Sequence, residues 1–440
     1  MGTRDKNAEI RNEIAEMGNG NLVIKNIGVL ATPLGSAAKS GEGQGDVLTL
    51  TDAWISVEGG RIYAAGTGEA PDGDAVFDAG GKLVTPGLVD PHTHLVFGGW
   101  REHELAMKLR GVPYLDILAA GGGIISTVRN TRAATGQELE DKAMSVLRRL
   151  LALGVTTCEA KSGYGLSFDD EMKLLRAVKN LDTLQPVELV STFMGAHAVP
   201  PEYKEGGGNS VPAMGTNRKT GREGYIGLLI DEMIPAVSES GLAEFCDVFC
   251  ETGAFTTEES RRILLAGQKA GLKPKCHSDE INSIGGTEMA AELGAVSCEH
   301  LITCPPSGIE AMKNSGTIAC CLPATSFYLD AAYAPARDMI SAGVPVAFGS
   351  DFNPGSCPTN SLQLAMNIGC FKYRMTPEES LTAVTLNAAA AICRADRIGT
   401  IEPGKQADIV VWDALNLDYI FYRFGDNLVD TVFKKGVKVI

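Results

Sequence analysis

A chain of 440 residues, 44% of them hydrophobic, has room for one large domain with a smaller one beside it, and its formal net charge of −15 excludes the basic surface that nucleic acid or an anionic membrane requires. No stretch is apolar enough to cross a bilayer, and the first twenty residues lack the apolar core of a secretion signal. Eleven cysteines with no CxxC pair are therefore expected as buried thiols in a reducing cytoplasm rather than as disulfides or a structural zinc site.

In chain order, the first eighteen or so residues read as a polar helical extension. Residues from about 20 to 84 follow as short alternating runs, "NLVIKNIGVLAT", "AWISVEGGRIYAAG" and "AVFDAGGKLVTPG", broken by Gly, Asp and Pro, the texture of antiparallel strands. Eight apolar, β-rich runs then recur at 87–94, 154–161, 187–197, 245–252, 273–279, 295–300, 316–323 and 344–351. Most are separated by segments of helical period, such as "TGQELEDKAMSVLRRLLALG", "TEMAAELGA" and "GIEAMKNSG". The glycine-rich stretch over 205–227 is expected as a long loop. At the C-terminus, "GTIEPGKQADIVVWDA" and "DTVFKKGVKVI" return to the texture of the first strands.

Continuous apolar strands alternating with helices predict a parallel sheet covered on one side, closed as a (β/α)8 barrel over 85–397. Segments 1–84 and 398–440 are expected to fold together as one small composite β-sandwich domain. An open doubly wound sheet is the alternative.

Of six histidines, His92, His94, His197, His277 and His300 fall at the C-terminal ends of predicted barrel strands, the face where barrel active sites form. His92 and His94, in "LVDPHTHLVFGGWREHE", lie two apart on an extended segment, so both imidazoles point to one face and can share one divalent ion. His277 ends the fifth run and Asp351 the eighth. Three imidazoles and a carboxylate leave a coordination position open for water, as in a catalytic site. Asp351, ahead of Phe-Asn-Pro-Gly, also fits a turn cap, but a carboxylate lining a metal-bearing mouth is the stronger reading. Gly121 to Gly123 lack the GK[ST] of a phosphate loop, so close backbone approach or tight packing is expected there.

These motifs, with "AGGGIISTV", "EAKSGYGL", "TFMGAHAVP", "CHSDEINSIGG", "CEH" and "GSDFNPGS", resemble the amidohydrolase superfamily of metal-dependent hydrolases over nearly the whole chain, from about residue 20 to 440. Within it the similarity is greatest to members that open the cyclic amide of an imidazolone ring bearing a propionate. The resemblance implies His92, His94, His277 and Asp351 as ligands of a zinc or iron ion. It implies one metal, because the fourth run ends in Glu251 and not in the bridging lysine of two-metal relatives. Lys161, ending the second run, is left as a salt-bridge partner within the mouth or a ligand. Glu280, His300 and Asp351 are the groups expected to move protons or steady negative charge. Arg101 is expected to take the propionate through paired hydrogen bonds, with Tyr164, His197, Glu280, Asn353, Gly355 and Ser356 around the substrate. His103 is expected in solvent. Ser356 departs from a frequent family threonine but keeps the hydroxyl, and family habit implies a homodimer. Two other readings stand beside this one: an aminohydrolase acting on a cytosine- or guanine-like ring, which has little use for Arg101, and an inactive scaffold, which has none for five costly polar groups in one mouth.

Overall fold

The computed structural model describes residues 21–112, 121–204 and 220–440. The expected polar helix of the first eighteen residues lies outside them.

Strands β1 (Leu22–Pro33), β2 (Val47–Glu58), β3 (Arg61–Thr67), β4 (Ala75–Asp78) and β5 (Leu83–Pro86) open the chain. The eight barrel strands follow: β6 (Leu88–Asp90), β7 (Val155–Lys161), β8 (Glu188–Ala196), β9 (Phe245–Cys250), β10 (Lys273–Ser278), β11 (Ser297–His300), β12 (Ile318–Cys321) and β13 (Val346–Phe348). Last come β14 (Ile409–Trp412), β15 (Val429–Lys434) and β16 (Val437–Lys438). Each of the eight predicted runs contains one barrel strand, and all pair in parallel in chain order.

The two chain ends share one sheet in the order β16-β15-β14-β5-β1-β2-β3, with β4 beside β1. It is mixed rather than purely antiparallel, because β4 and β5 run parallel to β1. The β1–β2 connection and the β2–β3 hairpin, the latter turning at Gly59 and Gly60 with positive φ, each reverse the chain once, so β3 runs in the direction of β1 and the chain can go on to β4 in that direction. Ile24, Ile55, Val84, Ile409, Val411 and Phe433 form that sheet's own core.

The helices form where capping and apolar period agree. In Gly136–Ala152, Thr135 and Glu138 make a reciprocal capping box, and Leu139, Ala143, Val146, Leu147 and Leu150 bury one stripe against the barrel. Gly154, at φ 87°, turns the chain into β7. The glycine-rich stretch is not loop throughout: Gly221–Leu228 is helical. There the burial of Tyr225 and Ile226, together with the Arg222–Glu259 ion pair, outweighs the low helix propensity of its glycines, and 205–219 lies outside the described residues. All eleven cysteines are free thiols, and no helix among the described residues is long and apolar enough to cross a membrane.

The small sheet is pinned to the barrel by Lys434, 2% exposed, whose ammonium donates to Asp408 Oδ2 and to the Thr156 carbonyl of β7, both at 2.8 Å. Removing one partner of a buried pair strands the other charge, so Lys434→Met is expected to cost about 3–5 kcal/mol in urea unfolding. Adding Asp408→Asn should recover part of that loss. A single variant as stable as the parent would contradict the pin.

Candidate metal centre and substrate pocket

The barrel closes where β13 meets β6, and the closure is made by the residues expected to ligate. The strand proper ends at Asp90, yet the chain stays extended beyond it: Thr93 bridges Phe352 in parallel, His94 N–H donates to the Phe352 carbonyl at 2.9 Å and Asp351 N–H to the His92 carbonyl at 3.0 Å. His92 and His94 therefore do share one face. Their Nε2 atoms lie 3.4 and 3.8 Å from Asp351 Oδ1. Asp351 sits at φ 51° and His300 at φ 72°, a left-handed backbone uncommon outside glycine that redirects both side chains at the strand ends.

His92, His94 and Asp351 offer ligand atoms within 4.8 Å of one another, and so do His92, His277 and His300. The His277 ring centroid is 4.6 Å from that of His92 and 5.5 Å from that of His94. Nε2 of His92 and Nε2 of His277 are buried without a hydrogen-bond partner among the described residues, so the donor set suits a divalent ion. Burial and the neighbouring imidazoles hold His94 well below its usual pKa, in the neutral form that ligates. At His92 burial acts the same way, but Glu299, Asp351 and Cys320 together outweigh it and raise the pKa, so an ion bound there has a proton to displace.

A small cavity opens over this group. His94, Tyr164, His197, His277, Glu280 and His300 line it, as do Asp351, Asn353 and Ser356, while His92 lies fully buried beneath. Burial first, then Asp351 and Glu251, pushes the Glu280 carboxyl up to about 8. His300 Nε2 stands 3.6 Å from Glu280 Oε2, and burial brings the His300 imidazole down to about 3. His197, also brought down to about 3 by burial and His277, stacks on His94 at 4.9 Å. Thr325 donates to Asp351 Oδ2 at 2.6 Å and keeps that carboxylate oriented.

Arg101 and Gly355 meet each other next to Ser356 and are not among the residues that line the cavity. Arg101 Nε and Nη2 each donate to Glu104 at 2.9 Å, and a Cβ added at Gly355 would collide with Nη1. Glu104, buried, also accepts the Gly123 N–H at 2.7 Å. Gly121 and Gly123 take positive φ, 84° and 66°, and a Cβ at Gly121 would meet nothing within 4 Å, so there the glycine answers to backbone conformation and not to close packing. Glu251 is a loop anchor, accepting the N–H groups of Ile281 and Asn282 just beyond Glu280 at 2.9 and 3.0 Å. His103 is exposed, and Lys161 is an ion-pair partner bound to three carboxylates.

The sequence reading missed Phe249 in the cavity wall, Glu104, and the buried Asp247 and Glu299 behind the histidines. A signal existed for the last two. They occupy buried positions of short strands, Asp247 opposite Lys275 and Glu299 opposite His277 on the paired strand.

A model of the amidohydrolase family matches residues 263–439. An imidazolonepropionase of Alkaliphilus metalliredigens is 49% identical over 427 residues, covering 95% of this chain and 98% of that protein. One of Fusobacterium nucleatum is 51% identical over 420 residues, covering 94% and 98%. Among solved structures, an adenosine deaminase from Xanthomonas campestris with bound zinc aligns with a TM-score of 0.66 at 18% identity, over 95% of this chain and 92% of that one. At that identity the likeness is one of fold.

If the His–Asp group holds the ion, His94→Ala and Asp351→Ala will each abolish stoichiometric metal, read by plasma emission spectrometry on folded protein, whereas His103→Ala will leave it intact. Metal retained in both ligand variants would contradict the assignment.

Proposed function

Because the chain belongs to the imidazolonepropionases, a group of amidohydrolases, we propose that it hydrolyses the cyclic amide of 4-imidazolone-5-propanoate to N-formimidoyl-L-glutamate with one divalent metal, zinc or iron. One water adds across the ring amide: the carbonyl carbon gains oxygen, the carbon–nitrogen bond breaks, and the nitrogen leaves with a proton.

His92, His94, His277 and Asp351 hold the metal in this reading. When bound, it supplies Lewis acidity that makes a water nucleophilic near neutral pH. The chain's own groups manage charge and protons around that event. His300, kept neutral by burial, offers a ring N–H to the oxygen on which negative charge develops. Glu280, with its pKa pushed up to about 8, carries a proton near neutral pH and is the group to deliver it to the departing nitrogen. Asp351, held well below the usual carboxylate range because His92 and its other partners outweigh the effect of burial, stays ionised and can accept a proton from the attacking water.

Arg101 takes the propionate. Glu104 engages its Nε and Nη2, which fixes the guanidinium plane, and the edge bearing Nη1 faces the Gly355 turn. Asn353 shapes that turn by accepting the N–H groups of Gly355 and Ser356 at 2.8 and 2.7 Å. Tyr164 and His197 line the cavity beside His94, their rings 5.2 Å apart. The observation that carries the reading is that Glu280 and His300, 3.6 Å apart, share one cavity with the His–Asp group.

Two variants separate the roles. Arg101→Met is expected to raise KM about 10- to 100-fold, the worth of a charge-assisted contact, while metal content is unchanged; metal loss or an unchanged KM would remove Arg101 from substrate binding. Glu280→Gln keeps the shape of the side chain and removes the proton carrier, so kcat should fall about 10²- to 10⁴-fold with KM little altered. A kcat close to the parent's would assign the transfer elsewhere.

A further inference from the structure

Below the cavity the barrel core is ionic. Glu159 and Lys161 of β7, Asp247 of β9, Lys275 of β10 and Glu299 of β11 are all 0% exposed. Lys161 Nζ lies 2.8 Å from Asp247, 2.9 Å from Glu299 and 3.0 Å from Glu159. Lys275 Nζ lies 2.7 Å from Glu159 and 2.9 Å from Glu299. Placing five ions out of water costs several kcal/mol each, and mutual attraction at best roughly repays it. A packed apolar layer would serve stability as well.

What distinguishes two of the carboxylates is their upper neighbours. Glu299 Oε2 is 2.5 Å from His92 Nδ1, and Asp247 Oδ2 is 3.0 Å from His277 Nδ1. Glu159, by contrast, meets only Lys161, Lys275 and the Thr192 hydroxyl among its side-chain partners in the described core, and no histidine. An imidazole presents two nitrogens, and the hydrogen bond made by one decides which proton state the other offers. From this geometry we infer that Asp247 and Glu299 are positioning residues: each carboxylate stands against the Nδ1 side of one histidine, fixes its ring plane, and leaves Nε2 for the metal. Lys161, shared by both carboxylates, keeps the two histidines in a common register, since neither carboxylate can swing without giving up the ammonium.

The inference rests on His92 and His277 as ligands and on nothing about the substrate. Metal affinity of the full-length protein, by zinc competition against a chromophoric chelator, tests it without turnover. Glu299→Gln and Asp247→Asn are each expected to weaken zinc binding about 10- to 100-fold, while Glu159→Gln, which removes an equal charge from the same core, stays within about threefold of the parent. The visible spectrum of the cobalt-loaded protein should change in the first two and not in the third. Glu299→Asp, which keeps the charge but draws it back from His92, should lie between and serves if a neutral variant does not fold. Parental affinity in Glu299→Gln and Asp247→Asn, or an equal loss in Glu159→Gln, would reduce the layer to a folding element and overturn the inference. His92→Ala run in parallel separates the two failures: if it keeps its zinc the ligand reading falls, and if it alone loses zinc only the positioning role falls.

Discussion

The site depends on how the barrel closes. β13 and β6 are short, three residues each, and the sheet is completed beyond them by a parallel bridge between Thr93 and Phe352 with main-chain hydrogen bonds to either side. That bridge sets His92 and His94 against Asp351, residues some 260 positions apart, in fixed register. Asp90, buried at the same seam, accepts the Ser350 N–H at 3.0 Å and anchors its lower edge. Closure and ligand assembly are therefore one event, and a change that opens the seam will cost the metal site before it costs the helices.

The rest of the mouth is arranged so that flexible groups are held by buried carboxylates. Glu104 holds Arg101, Glu251 holds the backbone past Glu280, and Glu171 accepts the N–H groups of Gly163, Gly165 and Leu166 around Tyr164. Each carboxylate satisfies several donors, which is how a charge is tolerated away from water. The cavity is thus walled by the ends of barrel strands and by loops whose conformation is specified from behind.

The fold was legible in the sequence because its signal is redundant: eight apolar runs of strand length, spaced by helical segments with caps such as Thr135 and Glu138. The strand-end histidines and Asp351 were legible for the same reason, since each marks a switch from apolar run to polar loop. The second layer was not. Asp247, Glu299 and Glu159 sit inside apolar runs, where a single acidic residue reads as an exception. Their meaning comes from neighbours on other strands, and pairing across strands is invisible in a local pattern. Lys161 carried two readings from sequence alone, and its three carboxylate partners decide for the ion pair. Gly221–Leu228 was hidden by its glycines, because the burial of Tyr225 and Ile226 is a tertiary effect.

Hydrolysis of an imidazolone ring with one metal is the activity proposed for this mouth. The most direct measurement follows the ultraviolet absorbance of freshly generated 4-imidazolone-5-propanoate in the presence of the purified chain, with metal quantified on the same sample. The account predicts that absorbance is lost at a rate proportional to bound metal, saturating at one ion per chain, with N-formimidoyl-L-glutamate accumulating. Metal-loaded protein that leaves this compound untouched while deaminating a pyrimidine or purine would contradict it.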